Sequence, residues 1–468
     1  MKKQASKILF LFAIFVTLSN STQADWQQEL ETNFDIVETF DNLQDWSANG
    51  LFPSSATDVR AYDPSLLPKK LDGSNSRWGY WANKYPTPIV ETINNGPFQT
   101  GETVTNDLGA TWEYRQTYVI DGVTYLRLKD AIFGQSVGTF QIGHTLRGLT
   151  SGATATITAW PQIIADHGTN KWGSSGKSLM MNLGDNDNSD GAMAGIGAQR
   201  LGMFFGDGIT GKSGYKKIHI FMMVKFTPFF FGASGVQEDV DYLSVFKFLD
   251  ICSGFIDINH FGTAAEQISI EQGSEQATTE YGNNVSIINL FGGGLSNAGR
   301  VFIDENLSSA DANHITPDSN PQTYYESVDR TFNMKNNDAF YPAAGADINK
   351  VYTGTYNDWF AIEMISDIGT VDNADGTTDL YVYDKDGNIK GHYFATGIPK
   401  LGFFDHYYNK VTLGGNRRMG ASSSNLDGRY WIDDFIIDDS RIGPTYFNAY
   451  QSSSDVIAPS SPSGLSVE

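Results

Sequence analysis

Gly428-Arg429-Tyr430-Trp431-Ile432-Asp433-Asp434-Phe435-Ile436-Ile437-Asp438-Asp439-Ser440-Arg441-Ile442-Gly443-Pro444 reads as one β-strand with a turn at its exit. Aromatic and β-branched residues interleave with polar ones, which suits a pleated ribbon that buries one face. Strict alternation sends Trp431, Phe435 and Ile437 one way and Tyr430, Asp434 and Asp438 the other. It also leaves Asp433 on the Trp431 face. A carboxylate in that position loses its water and needs a cation or several donors beside it.

The same texture recurs through the chain. In Tyr215 to Phe226 (YKKIHIFMMVKF), Ile218, Ile220, Met222, Val224 and Phe226 form an apolar face, and Lys217, His219 and Lys225 share the other. Trp359 to Ile365 sets Phe360, Ile362 and Met364 inward, with Trp359 and Glu363 outward. Asp379 to Tyr383 and Ile389 to Phe394 flank Asp384-Lys385-Asp386-Gly387-Asn388, a hairpin turn by its Asp-Gly. No long helical period interrupts these runs. The expected fold class is all-β, an antiparallel β-sandwich.

The first 24 residues read as a signal peptide. Lys2, Lys3 and Lys7 precede the apolar run Ile8 to Leu18, and Thr22-Gln23-Ala24 offers small residues for cleavage before Asp25. That run is too short for a hydrocarbon core that needs about 20 residues, so no membrane insertion is expected. Loss of those three lysines, with no acid among the 24 residues, takes the formal charge from −22 to −25. A chain so acidic repels nucleic acid and stays soluble outside the cell, secreted, periplasmic or on the cell surface. Its single cysteine, Cys252, excludes an intramolecular disulfide and reads as a small buried hydrophobe.

The strand at 430–444 resembles the last strand of concanavalin A-like jelly rolls in its aromatic, Asp-Asp, two apolar residues and Arg-Ile-Gly-Pro exit. Such sandwiches occur in secreted polysaccharide lyases, glucanases and laminin-G-type binding domains. The resemblance implies that the first strand, within Phe34 to Trp46, pairs with the last. A site shared by Glu38 or Asp41 with Asp433 would then supply hard oxygen ligands suited to a structural Ca²⁺. The alternative is that Asp433 caps backbone amides or faces solvent.

Residues 96–158 read as a small inserted β module, which divides the jelly roll into 25–95 and 159–450. Gly96-Pro97-Phe98-Gln99-Thr100-Gly101-Glu102-Thr103-Val104 recurs as Gly138-Thr139-Phe140-Gln141-Ile142-Gly143-His144-Thr145-Leu146, and a Gly-Ala-Thr follows each copy. This is an internal duplication. The second copy resembles small β repeats of phage structural proteins, which implies a contact module for a protein partner. The aromatic knot Arg77-Trp78-Gly79-Tyr80-Trp81 reads as core or rim packing, and Asp185 to Gly191 as an acidic solvated loop. Residues 451–468 form a Ser- and Pro-rich tail or linker, consistent with a piece of a longer modular protein.

Serine-hydrolase elbows, zinc HExxH and phosphate-binding P-loops are missing, as is the E-x-D-x-x-E strand that resembling glucanases use. What remains is a set of residue types on neighbouring strands. β-Elimination of a uronate needs a cation against the developing enolate and a base for the C5 proton. His219 or Tyr381 suits the base, and Lys217 or Arg417 the cation. Lys225, Trp359, Glu363 and Tyr383 would line the substrate. The function expected is a secreted carbohydrate-binding jelly roll with polysaccharide as partner, extending to a polysaccharide lyase for a uronate-containing glycan. The alternative is a non-enzymatic structural or adhesive surface protein.

Overall fold

The computed structural model describes residues 27–47, 60–61, 64–82, 87–129, 140–167, 176–182, 199–206, 213–226, 244–253, 264–272, 283–289, 359–370, 375–398, 407–414 and 429–455. The signal peptide, the acidic loop at 185–191, Arg417 and most of the tail lie outside them.

The protein is an all-β, antiparallel sandwich. One sheet runs β10 (Ile164–Asp166), β11 (Lys177–Asn182), β21 (Arg429–Asp438), β13 (Lys217–Phe226), β17 (Phe360–Asp367), β18 (Gly376–Tyr383) and β19 (Ile389–Ile398), and β1 (Ile36–Glu38) also pairs with β21. The second runs β16 (Asn283–Asn289), β15 (Ala264–Gln272), β14 (Ser244–Ser253), β20 (Tyr408–Gly414), β12 (Arg200–Phe204), β3 (Trp78–Ala82) and β2 (Arg60–Ala61). The chain's opening strand thus closes on its last, with Ile36 opposite Ile437 and Glu38 opposite Phe435.

Between the sheets lies the main core. Ile218, Ile220, Met222 and Val224 of β13 and Phe360, Ile362 and Met364 of β17 meet Leu201, Met203, Leu249, Val411 and Leu413 of the opposing sheet. These are the inward sets that period-2 alternation predicts. The aromatic knot is core as well. Trp78 and Trp81 both face inward because β3 carries one more residue than β12 between Tyr80 and Trp78.

The last strand corrects the sequence expectation. Asp434 adopts φ +46°, and β21 spends three steps from Ile436 to Asp433 while β13 spends two from Phe221 to Met223. This β-bulge reverses the phase of the strand. Tyr430, Ile432, Phe435 and Ile437 point into the main core, while Trp431 and Ile436 point to the outer face. Trp431 and Phe435 therefore lie on opposite faces.

That outer face is a second apolar layer. Phe221, Met223, Tyr383, Trp431 and Ile436 pack against a short helix α1 (27–33) and a helix α2 (Gly443–Asp455). The sequence reading expected no helix here. Pro444 in the first turn of α2 is compatible with a helix start, because the amide it lacks would be unpaired there anyway. Tyr446 and Phe447 give that helix an apolar edge, and Ile442 packs beside them just before its start.

Six strands form a closed barrel in the order β4 (Ile89–Val90), β7 (Val123–Lys129), β6 (Thr111–Ile120), β5 (Thr103–Thr105), β8 (Thr145–Gly148) and β9 (Thr154–Ala159). Its own core includes Trp112, Leu126, Leu128, Phe140, Leu146 and Ile157. Strands β4 and β9 pair, so the chain enters and leaves the barrel side by side. The two copies of the duplicated motif repeat one another bond for bond. Glu102 N donates to Gln99 O at 3.0 Å, and His144 N to Gln141 O at 3.0 Å. Gly109 N donates to Asn106 O, and Gly152 N to Gly148 O, again each at 3.0 Å. β5 and β8, the equivalent strands, pair with each other.

The equivalent side chains cross between copies. Glu102 accepts from Thr150 N, Ser151 N and Ser151 Oγ at 3.0, 2.9 and 2.7 Å, all in the other copy's turn. Nδ1 of His144, its counterpart, lies 2.9 Å from Asn106 Nδ2 in the first copy's turn. Burial would raise the Glu102 carboxyl, but the donors at Ser151, Gln99 and Thr150 hold it below its ordinary value.

Candidate functional site

The outer face of the first sheet gathers several of the predicted residues through strand register. β13, β17 and β18 lie side by side, with His219 opposite Ile365 and Glu363 opposite Tyr381. Alternation puts His219, Glu363, Tyr381 and Tyr383 on the one outer face. His219 is 3 % exposed and Glu363 is fully buried.

Glu363 is the hub. His219 Nδ1 lies 3.4 Å from its Oε1, and Tyr383 Oη donates to its Oε2 at 2.6 Å. Arg441 Nε donates to Oε2 at 3.0 Å, and its Nη2 reaches Tyr383 Oη at 2.5 Å. Two backbone amides at the start of α2 complete the set, Ile442 N at 2.8 Å and Gly443 N at 3.2 Å. Burial alone would raise this carboxyl. The donors, His219 and Tyr383 foremost, outweigh it and hold Glu363 at about 2. An ionised carboxylate against the unpaired amides of a helix N-terminus is electrostatically matched.

The surroundings follow from that charge. Burial, and then the Glu363 carboxylate, push the Tyr383 phenol far above its usual value. The Arg441 guanidinium lies 3.5 Å from the centroid of the Tyr381 ring, and its side chain is 33 % exposed. Tyr381 is half-buried, and burial raises its phenol. His219 Nε2 is buried and has no hydrogen-bond partner among the described residues. Lys217, two residues before His219, is exposed.

Two of the four residues expected to line a substrate take another part. Glu363 and Tyr383 spend their polar atoms on one another, on Arg441 and on α2, and both are shut from solvent. Gly443 shows how closely α2 is held, since a Cβ there would sit 2.5 Å from the Tyr383 phenol. Lys225 and Trp359 lie further along the same face. Lys225 Nζ is 4.6 Å from the centroid of the Trp431 ring and 5.7 Å from that of Trp359.

The expected calcium ligands do not converge. Glu38 points into the inter-sheet core, where burial raises it to about 7. Asp41 Oδ1 accepts from Lys177 N at 2.6 Å, and Asp433, carried outward by the bulge, accepts from Asp434 N at 2.8 Å. Among the described residues no three carboxylate, imidazole or thiolate groups stand close enough to hold a metal ion. The trio does not fit a calcium site.

Arg441 is the residue of this network to which the sequence analysis gave no part. Arg441 stands in the Arg-Ile-Gly-Pro exit, and a glycine-proline pair after a strand is the signal that a new element begins there.

No protein-family model matches the chain, and no curated protein sequence matches it. Among solved structures it is similar to the PL-14 alginate lyase from Aplysia kurodai, at 12% identity and a TM-score of 0.30, covering 59% of this chain and 86% of that one. The alginate lyase vAL-1 from Chlorella virus gives 13% identity and a TM-score of 0.30 over 59% and 88% of the two chains. The botulinum neurotoxin serotype C1 binding domain gives 10% identity and a TM-score of 0.26 over 59% and 47%. Scores this low carry no argument, and the fold class rests on the strands, their register and the core between them.

Proposed function

We propose that the protein is an exported, polysaccharide-binding β-sandwich that acts on a uronate-containing glycan by β-elimination. The observation that supports this reading is the His219–Glu363 pair. A carboxylate held ionised orients an imidazole through Nδ1 and leaves Nε2 without a partner, the arrangement of a base steadied by a third group. In this reading Nε2 takes the C5 proton, and Arg441 faces the uronate carboxylate as the enolate develops. Tyr381, whose raised phenol keeps its proton, returns one to the departing O4 as the C4–O4 bond breaks. Arg441 takes the part first given to Arg417.

Incubation with alginate, glucuronan and polygalacturonate should raise the absorbance of the unsaturated product. His219→Ala should abolish that signal with retained binding in affinity electrophoresis. Binding without product in the wild type would remove the elimination step and leave a polysaccharide-binding protein.

A second reading, a non-enzymatic adhesive protein, draws on the burial of the same network. With Glu363 fully buried and tied to α2, the network also serves as a clamp that holds the helix to the sheet. Silence across a broad polysaccharide panel, with self-association or attachment to a protein partner through residues 96–158, would favour it.

A further inference from the structure

The turn that opens the second copy of the barrel motif is closed by a histidine where the first copy uses a carboxylate. His144 Nδ1 lies 2.9 Å from Asn106 Nδ2, and Gln141 N donates to the same ring nitrogen at 3.1 Å. Which end of the Asn106 amide faces the ring is fixed by its other bonds. Asn106 Oδ1 accepts from Leu108 N at 3.0 Å and from Ala110 N at 2.9 Å, so the group turned to His144 is the NH2 donor. Two donors therefore converge on Nδ1. That nitrogen presents a lone pair, and the ring proton belongs on Nε2.

An imidazolium cannot keep this arrangement. A proton on Nδ1 would point at two N–H groups that already face it. Asn106 could answer only by turning Oδ1 to the ring, which takes that oxygen away from Leu108 N and Ala110 N. Protonation of one side chain in the second copy is thus tied to the 106–110 turn of the first. His144 is half-buried, so solvent protons reach it. Few charges surround it. Asp107 in the facing turn favours the cation, and Arg147 further along β8 opposes it. β9, paired with β8, carries no titratable side chain, and Glu91 lies beyond it, its N donating to Thr156 O.

The other end of the β5–β8 pair behaves differently. Strands β5 and β8 run antiparallel, so the Glu102 contacts with Thr150 and Ser151 stand at the far end from His144. Those bonds need a carboxylate, which stays ionised through the range in which an imidazole titrates.

We propose that His144 is a pH-operated latch: neutral, it ties the two copies together at the Asn106 turn, and protonated, it releases that turn while the Glu102 end stays closed. The latch is whole above the ordinary imidazole value of about 6.5 and is lost as pH falls below it. The two turns that part carry Leu108 and Ile142, 75 % and 60 % exposed, so acid reshapes an apolar rim of the barrel. The inference stands apart from any reading of the Glu363 network.

The test uses the full chain, labelled with 15N-histidine, and the variant His144→Gln, whose amide oxygen can accept a bond without titrating. At pH 8 the His144 signal, identified by its loss in the variant, should show a bare Nδ1 and a protonated Nε2. Hydrogen exchange, corrected for the intrinsic effect of pH, should rise roughly tenfold at 106–110 between pH 8 and pH 5, the size of one or two lost hydrogen bonds. Exchange at 148–153 should scarcely change. In His144→Gln the 106–110 turn should lose its pH dependence. A protonated Nδ1 at pH 8, equal responses in the two turns, or a variant that responds as the wild type does would each overturn the latch. Should His144→Gln fail to fold, the contrast between the two turns of the wild type decides alone.

Discussion

Glu38 and Glu363 are both carboxylates sealed inside this sandwich, on opposite faces of one sheet, and their charges are settled in opposite ways. Glu363 is surrounded by His219, Tyr383, Arg441 and two amides, and it ionises at about 2. Glu38 meets the same burial with few donors, the Phe40 amide foremost at 3.1 Å, and it rises to about 7. Burial does not decide the charge state. The number and strength of donors facing the oxygens decide it.

The strongest way to break this comparison is to remove the hub. Glu363→Ala leaves Arg441 and the first amides of α2 without their acceptor, and stability should fall by about 3–5 kcal/mol, the cost of orphaning a buried pair. Urea unfolding would read it. Acid offers the same test without mutation. A folded value near 2, against 4.5 for the free group, makes this contribution full above 4.5 and lost as pH falls toward 2, roughly 3 kcal/mol in all.

Glu38 should respond with the reverse sign. Its raised value means its contribution is whole below 4.5 and is lost as pH rises through about 7. Glu38→Gln should therefore stabilise the protein at pH 8, by up to roughly 3 kcal/mol, and flatten its pH dependence between those limits. A variant less stable than wild type at pH 8 would show that Glu38 is better satisfied than its donors suggest.

Smaller effects are expected in the barrel. Residues 87–160, expressed alone, should unfold cooperatively, since the barrel core is its own. Glu102→Ala should lower that fragment's stability by about 2 kcal/mol, as charge-assisted bonds into the second turn are lost. The smallest effect is that of exhaustive chelation. The unfolding midpoint should not move, because Glu38, Asp41 and Asp433 face different surroundings.

The sequence made much of this visible, for reasons that lie in periodicity. In β13 and β17 nothing interrupts the pleat, so His219, Lys225 and Glu363 could be placed on one face by counting residues. The hairpin that carries Tyr381 and Tyr383 announces itself through Asp386-Gly387. The duplicated motif was legible because glycines at left-handed positions recur with it, Gly101 and Gly143 at φ +83° and +89°. What failed was counting across Asp434. A single left-handed residue shifts the strand by one, and nothing in Trp-Ile-Asp-Asp-Phe marks which aspartate is the extra one. Arg441 was hidden for another reason. Its role depends on a helix whose hold on the sheet comes from tertiary packing of Tyr446 and Phe447, and local propensity scarcely signals that.

The exchange of Glu102 and His144 between the two halves of the barrel has an evolutionary corollary. Once each repeat has handed its polar anchor to its sibling, neither can be deleted, shuffled or replaced without leaving a hole in the other. Gly148 records the same bargain in steric form, for a methyl there would collide with Glu102 at 2.5 Å. The two repeats therefore fold as a unit, and a change to either anchor should be felt in the other's turn.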